Sequence, residues 1–159
     1  SKGCALIHSR ADRCPALLPT VTSHATAGTD AFDWPGTRDF SPWLSVTEAL
    51  AFYRELGAVQ LRERNRAFAI AAGAQLAAAW GTETAGPDEM TGSMRAIRLP
   101  GQRSATEDAA MALNHHLWER HRIEVPVLPI QGALWIRISA QVYNDPADYE
   151  RLEQAISGV

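Results

Sequence analysis

The stretch that decides the fold is Leu134-Trp135-Ile136-Arg137-Ile138-Ser139. Successive side chains of a β-strand point to opposite faces of the sheet. The pattern therefore predicts a strand whose three aliphatic side chains cover a core, while Trp135, Arg137 and Ser139 face the other way. An arginine between tryptophan and serine on one strand face offers a planar pair of donors for a carboxylate or a phosphate. The alternatives are an arginine that faces solvent and one that pairs with a structural aspartate.

The segments around this strand predict a small α+β unit with a mostly antiparallel sheet. Residues 93–99 are strand-like, residues 106–122 have helical periodicity, and residues 125–130 form a proline-interrupted extended segment, hence an edge strand or a loop. Asp145 and Pro146 are typical of the N-cap and the first position of a last helix. The expected core of the unit comprises Ile97, Leu113, Leu117, Leu134, Ile136, Ile138, Leu152 and Ile156.

Two predicted helices precede this unit. Ser45 and Glu48 have the spacing of a capping box, which predicts a helix that ends at Gly57. A longer helix is expected over 58–80. Its apolar stripe is Leu61, Phe68, Ala72, Leu76 and Ala79. We interpret this helix and the turn after it as a connector, which divides the chain into 1–57, 58–89 and 90–159.

The beginning of the chain predicts one strand over residues 4–8 and a long irregular stretch over residues 9–42. The irregular stretch is rich in proline, glycine, threonine and aspartate, and loops of this length usually carry function or are disordered. The chain opens without an initiator methionine, directly in an apolar run, which predicts a piece of a larger protein. Cys4 and Cys14 are expected to be reduced thiols.

Composition limits the classes of function. With 159 residues, 46% of them hydrophobic and 21% charged, the chain can bury a core. Its net charge of -3 argues against a partner such as nucleic acid or an anionic membrane surface. No run of about 18 apolar residues occurs, and the N-terminus lacks the layout of a signal peptide. We therefore expect a cytoplasmic protein.

A second candidate site lies at Gly36 and Thr37. The glycine would let the backbone approach a ligand closely, and the threonine supplies a hydroxyl and an amide. With the charge of Arg38 next to them, these residues would suit a phosphate. The stretch matches no nucleotide-binding fingerprint, so a plain turn is the alternative.

The histidines are weaker candidates. His115 and Glu119 lie four residues apart on a predicted helix that also carries His116 and His121, so a metal pair is conceivable. The neighbouring arginines at 120 and 122 would oppose a cation, which favours a solvated helix face. His24 follows Thr22 and Ser23 in the long loop, but no serine–aspartate constellation accompanies it, and we assign it no acid–base role.

Taken together, three segments resemble one enzyme family. Residues 33–39 (DWPGTRD), followed by Trp43 and Leu44, are similar to the W-x-G-T-x-D segment of class V aminotransferase-fold enzymes that use pyridoxal phosphate. Residues 86–94 (GPDEMTGSM) resemble the start of their small domain in the isopenicillin N epimerase-like branch. Residues 137–149 (RISAQVYNDPADY) resemble the family's R-x-S-x-x-x-Y-N-x-x-x-D ending. The resemblance covers nearly the whole chain.

The resemblance implies an α/β enzyme of fold type I, with residues 1–57 as a remnant of the large pyridoxal-phosphate-binding domain and residues 90–159 as the small C-terminal domain. It implies that Arg137 binds the α-carboxylate of an amino-acid substrate. It also implies that Gly36 and Thr37 reach the cofactor phosphate of the neighbouring subunit in a homodimer. Aminotransferase, epimerase and lyase chemistry all remain open.

Lysine usage departs from what the family requires. The chain has one lysine, Lys2, against fourteen arginines. The segment around Lys2 resembles a Pro-Lys-Gly-like segment that lies downstream of the family's Schiff-base lysine, so Lys2 is not expected to hold the cofactor. No metal ligand set is expected. The alternative to an enzyme part is a non-catalytic binding or interaction module derived from such an enzyme by truncation.

Overall fold

The computed structural model of the chain describes residues 3–21, 29–33, 36–101 and 104–158. It divides into two units, Ser1–Leu56 and Gly57–Val159. The boundary lies directly before Gly57, the glycine predicted to end a helix, which adopts the left-handed region with φ 78°. None of the helices in the described part combines the length and apolar character that crossing a membrane requires.

The described part of the first unit is helical and irregular. A short 3-10 turn spans Cys14–Ala16, and three helices follow: α1 (Asp30–Asp33), α2 (Ser41–Leu44) and α3 (Val46–Glu55). Cys4 and Cys14 are not joined in a disulfide. No residue of α3 is fully buried. The unit therefore offers little core among the residues described.

Two sequence predictions for this unit are wrong. Residues 4–8 form no strand, and Leu6 and Ile7 are 87% and 69% exposed. A strand needs a neighbouring strand for its backbone hydrogen bonds, and the described strands pair with one another and not with this segment. The capping box is wrong because Ser45 follows directly on α2 and is itself in a helical conformation. Its hydroxyl donates to the carbonyl oxygen of Pro42, 2.9 Å away, and makes no cap hydrogen bond to α3.

The second unit is built on a three-stranded antiparallel sheet. Helix α4 (Ala58–Trp80) comes first, followed by β1 (Met94–Arg98), α5 (Glu107–His121), β2 (Val127–Ile130), β3 (Ala133–Ser139) and α6 (Pro146–Ser157). The strand order is β1-β3-β2, so the alternating stretch quoted above forms the central strand. The small antiparallel unit, its edge strand and its helices are confirmed, since all lie within a few residues of the predicted bounds.

One face of the sheet is covered by helices. All eight predicted core residues belong to the buried cluster, together with residues of α4 such as Leu76 and Trp80. Helix α4, predicted as a connector, therefore packs on the sheet and contributes to its core. The predicted stripe of α4 is wrong at Ala79, which is exposed, and it omits the buried Asn65 and Gly73.

Helix α6 begins as the sequence predicts. The Asp145 carboxylate accepts a hydrogen bond from the Ala147 amide at 2.9 Å, and Asp148 completes a capping box. The helix is fixed to β3 by Tyr149, whose Oη donates to the carbonyl oxygen of Ser139 at 2.8 Å. The ring of Tyr149 also meets Phe68 of α4 edge-on, with 5.2 Å between the ring centroids.

Replacing this tyrosine tests the link between α6 and β3. Tyr149→Phe should lower the free energy of unfolding by about 0.5–1.5 kcal/mol because it removes one hydrogen bond and leaves the ring in place. Burial, with the charge of Asp148 as the second cause, raises the pKa of Tyr149. The folded protein then keeps the phenolic proton at pH values where the unfolded chain loses it, so stability should fall as pH rises above about 10. The free energy of unfolding, measured with urea between pH 8 and pH 11, should therefore decline less in Tyr149→Phe than in the wild-type protein.

Candidate functional site

The face of the sheet away from the helices forms an open face, which we define by Met94, Ala96, Arg98, Leu128, Trp135, Arg137 and Ser139. The strand register arranges these side chains in rows. Ser139 lies opposite Met94, Arg137 opposite Ala96, and Trp135 between Arg98 and Leu128. The predicted grouping of Trp135, Arg137 and Ser139 on one face is therefore confirmed.

Arg137 is exposed at the middle of this face. Its backbone amide donates to the carbonyl oxygen of Pro126 at 3.1 Å, which fixes the strand beneath it. Within the part of the chain that the structure describes, its guanidinium forms no ion pair and no hydrogen bond. A structural aspartate partner is thus absent among the described residues, and all five N–H donors of Arg137 can bind a ligand.

The side chains beside Arg137 on the β1 side are short. Its cross-strand neighbour is Ala96. One position further out, the amide of Ala85 donates to the carbonyl oxygen of Ala96 at 2.9 Å, and Thr84 forms a bridge with Ile97. Residues 83–85 thus extend the sheet beyond β1. The short side chains of Ala96 and Ala85 therefore leave room for a small ligand next to the Arg137 guanidinium.

The loop after β3 is held by side chains of α4. The Arg64 guanidinium donates to the carbonyl oxygens of Gln141 and Asn144 at 3.0 and 2.9 Å. Asn65, which is 5% exposed, donates through Nδ2 to the side-chain oxygen of Gln141 at 3.1 Å. Asn144 in turn donates to Asp148 at 3.1 Å. Gln141, Asn144 and Asp148 of the RISAQVYNDPADY segment therefore have a structural role. Their hydrogen bonds fix the loop that follows β3, the strand that carries Arg137.

Residues 86–92 are held by two further arginines. Arg95, 7% exposed, donates through Nη2 to Asp88 at 2.8 Å and to the Thr84 hydroxyl at 2.6 Å, and its Nη1 reaches Thr91. Arg66 donates to the carbonyl oxygens of Asp88 and Thr91 at 2.7 and 3.1 Å. The GPDEMTGSM segment is thus anchored against α4 and β1 by the buried Arg95 and the exposed Arg66.

These anchoring residues were missed by sequence reasoning, although two of them left a signal. Asn65 falls on the buried stripe of α4 between Leu61 and Ala69. Arg95 has the same strand parity as the core residue Ile97. A polar or charged residue at a buried position indicates a partner, because its burial is costly without one. Arg64 and Arg66 lie on exposed positions of α4 and gave no such signal.

The predicted phosphate segment lies in the first unit. Gly36 has φ 115°, and a Cβ added there would meet no atom within 4 Å. Thr37 is exposed, and the Arg38 guanidinium lies over the rings of Phe40 and Trp43, at 5.2 and 5.8 Å from their centroids. Residues Trp34 and Pro35 of the same segment lie outside the described residues.

Asp39 ends this segment by capping α2. Its carboxylate accepts hydrogen bonds from the hydroxyl and the amide of Ser41, at 2.6 and 2.9 Å. These two hydrogen bonds lower the pKa of Asp39. Asp39 therefore has a structural role at the exposed start of α2, and the candidate phosphate-binding residues of the segment are Gly36, Thr37 and Arg38.

Of the remaining candidates, His116 and His121 lie close together, with 5.8 Å between their ring centroids. His115, His116 and His121 are all exposed on α5. Among the described residues, no three side chains of the metal-ligating types come close enough to hold an ion. His24 and Lys2 lie outside the described residues.

Comparisons with known proteins agree with the motifs. No family model matches the chain. The chain is 37% identical to a probable L-cysteine desulfhydrase, chloroplastic, of Arabidopsis thaliana over 139 residues, which cover 79% of the chain and 29% of that protein. It is 36% identical to an isopenicillin N epimerase of Streptomyces clavuligerus in an alignment 177 positions long, which covers 99% of the chain and 43% of that protein. A second isopenicillin N epimerase, from Amycolatopsis lactamdurans, is 39% identical over 123 residues, which cover 76% of the chain and 30% of that protein.

These similarities show that the chain is homologous to class V aminotransferase-like enzymes that depend on pyridoxal phosphate. Two of these three relatives are isopenicillin N epimerases, which matches the branch that the three segments resemble. The chain spans between 29% and 43% of the length of these curated relatives.

Proposed function

We propose that this chain is the C-terminal part of a pyridoxal-phosphate-dependent enzyme of fold type I that acts on an amino acid, with Arg137 as the residue that binds the substrate α-carboxylate. The observation that carries the proposal is the exposed Arg137 guanidinium on the open face of a sheet, which has no partner among the described residues. The match to about a third of each relative supports the assignment to one part of a longer enzyme.

Arg137 suits a carboxylate for geometric reasons. A guanidinium presents parallel N–H donors that match the two oxygens of a carboxylate, so it fixes the plane as well as the position of the bound group. The rigid central strand holds the base of the side chain, since β3 is hydrogen-bonded on both sides. The loop after it is tied down by Arg64 and Asn65. Arg137 would therefore orient the substrate as well as attract it.

Gly36 and Thr37 would bind the phosphate of a cofactor molecule that the neighbouring subunit of a homodimer holds. The residues fit this group because the space beside Gly36 is open and the Thr37 hydroxyl is exposed. Arg38 adds a positive charge next to them. When bound, pyridoxal phosphate serves as the electron sink that stabilises negative charge at the substrate α-carbon. The described residues include no lysine, since Lys2 is the one lysine of the chain.

The relatives favour two of the three chemistries that the motifs leave open. Their names state epimerisation of isopenicillin N and desulfhydration of L-cysteine. We therefore favour an epimerase or a lyase over an aminotransferase. Both reactions need the substrate carboxylate to be held while bonds at the neighbouring carbons change, which is the role assigned to Arg137.

An absorption spectrum tests the expectation that Lys2 does not hold the cofactor. We expect the 159-residue chain mixed with pyridoxal phosphate to give the spectrum of the free cofactor, because Lys2 lies in a segment downstream of the family's cofactor lysine. The control is Lys2→Arg, which should give the same spectrum. A visible band that grows on mixing and disappears in Lys2→Arg would show that Lys2 holds the cofactor and would contradict this part of the proposal.

The second candidate function is a non-catalytic binding module derived from such an enzyme. The observation that favours it is the single lysine at position 2. The reading frame of the source gene separates the two candidates. A frame that encodes about 200 or more residues upstream, including a lysine in the family's cofactor context, supports the enzyme part. A frame without them supports the module.

A further inference from the structure

A second arginine shares the open face with Arg137. In the register of β1 and β3, Arg98 lies opposite Trp135, and Arg137 lies opposite Ala96. Arg98 and Arg137 are therefore diagonal neighbours on the same face, and such positions have Cα atoms roughly 7–8 Å apart. Trp135 is the residue opposite Arg98 in the register and a neighbour of Arg137 on the same face of β3.

Arg98 is weakly engaged by the protein. Its Nη1 lies 3.5 Å from Oε1 of Glu83, and the two side chains are 50% and 66% exposed. Such a pair contributes little to stability, because water screens it and both side chains keep their freedom. Arg98 also has no role in the helix-covered core. Its guanidinium can therefore exchange Glu83 for a ligand at small cost.

A recess opens next to Arg98. It has a volume of about 440 Å³ and is lined, among the described residues, by Gly81, Thr82, Glu83, Arg98, Leu99 and Gly101. The hydroxyl of Thr82 is buried there and has no hydrogen-bond partner in the described structure. The recess is lined mostly by polar groups, and the weakly paired guanidinium of Arg98 lies in it beside the carboxylate of Glu83.

We propose that Arg98 binds a second anionic group of the substrate, so that the substrate is an amino acid whose side chain carries a carboxylate. This inference rests on the proposed function of Arg137. The α-carboxylate lies on Arg137, the carbon chain crosses the small side chains of Ala96 and Ala85, and the distal carboxylate reaches Arg98 at the mouth of the recess. Trp135 covers the carbon chain from the side.

The test is a binding titration of the 159-residue chain at low ionic strength. The indole N–H signal of Trp135 is followed by nuclear magnetic resonance while L-glutamate or its uncharged isostere L-glutamine is added. We expect L-glutamate to bind about two- to fivefold more tightly than L-glutamine, as an exposed ion pair allows. Arg98→Met should remove that difference and leave the affinity for L-glutamine unchanged.

Two further variants separate the outcomes. Arg120→Met, on the exposed side of α5, is the matched control for the loss of one positive charge and should leave the difference intact. Arg137→Met should abolish binding of both ligands. If L-glutamine binds the wild-type chain at Arg137 but L-glutamate binds no more tightly, or if Arg98→Met keeps the difference, the role of Arg98 is wrong while that of Arg137 stands. If neither ligand binds the wild-type chain, both assignments are wrong.

Discussion

Arg137→Ala is expected to lower kcat/KM for the amino-acid substrate by about 30-fold to a few thousand-fold in the full-length enzyme that we propose. Removing one partner of a charge-assisted, two-pronged pair costs about 2–5 kcal/mol, and each 1.4 kcal/mol is a factor of ten. Most of the effect should fall on KM if Arg137 holds the carboxylate equally in the ground state and the transition state.

The stability of the same variant should hardly change. Arg137 is exposed and has no partner among the described residues, so its loss should alter the free energy of unfolding by well under 1 kcal/mol. Arg120→Ala, which removes an exposed arginine from α5, is the matched control and should keep normal kinetics. Normal substrate kinetics in Arg137→Ala would overturn the assignment, and a large loss of stability would indicate a structural role.

Arg95→Ala should have the largest effect on folding, a loss of about 2–4 kcal/mol in the free energy of unfolding measured with urea. The side chain is 7% exposed and donates to Asp88, Thr84 and Thr91. Its removal leaves the hydroxyl of Thr84 without that donor and leaves a cavity beside α4. Arg98→Ala is the control, since Arg98 is on the open side of the same strand and should cost less than about 1 kcal/mol.

Gly73 provides an independent check on the packing of Arg95. A Cβ at Gly73 would lie 2.7 Å from Cγ of Arg95, so Gly73→Ala should destabilise the wild-type protein by about 1–3 kcal/mol. In the Arg95→Ala background the clashing atom is gone, and the alanine should be neutral or stabilising by up to about 1 kcal/mol, as helix propensity predicts. Equal effects in both backgrounds would show that the two residues do not pack as described.

The second unit was predictable because its side-chain periodicity is strong. The alternation in residues 134–139 gave the central strand and the face that carries Arg137. The Asp-Pro pair at 145–146 gave the start of α6. In these segments the local secondary-structure preference and the burial pattern agree, so the sequence pattern is sufficient to predict the element and its buried face.

The first unit shows why other segments were not predictable. Residues 4–8 have the apolar composition of a strand, but a strand forms only where a partner completes its hydrogen bonds. Ser45 has the right spacing for a cap, but the preceding helix α2 holds it in a helical conformation. In both places the outcome depends on neighbours that composition and spacing do not reveal.

The candidate site also contains residues that the sequence pattern indicated and residues that it did not. Arg137 was found by strand alternation, and the motif resemblance suggested its ligand. The side chains that fix its surroundings were not found, because Arg64 and Asn65 contact residues 76–80 positions away in the sequence. Pairs at that separation are set by how α4 packs on the sheet, which no local pattern describes.

The central claim is that Arg137 recognises the substrate α-carboxylate. The most direct measurement compares kcat/KM for the amino acid and for the amine that lacks only its α-carboxylate, in the full-length wild-type enzyme and in Arg137→Ala. We expect the wild-type enzyme to prefer the amino acid by about 30-fold or more and Arg137→Ala to lose most of this preference, because the two changes remove the same interaction. A preference of equal size in both enzymes would contradict the account.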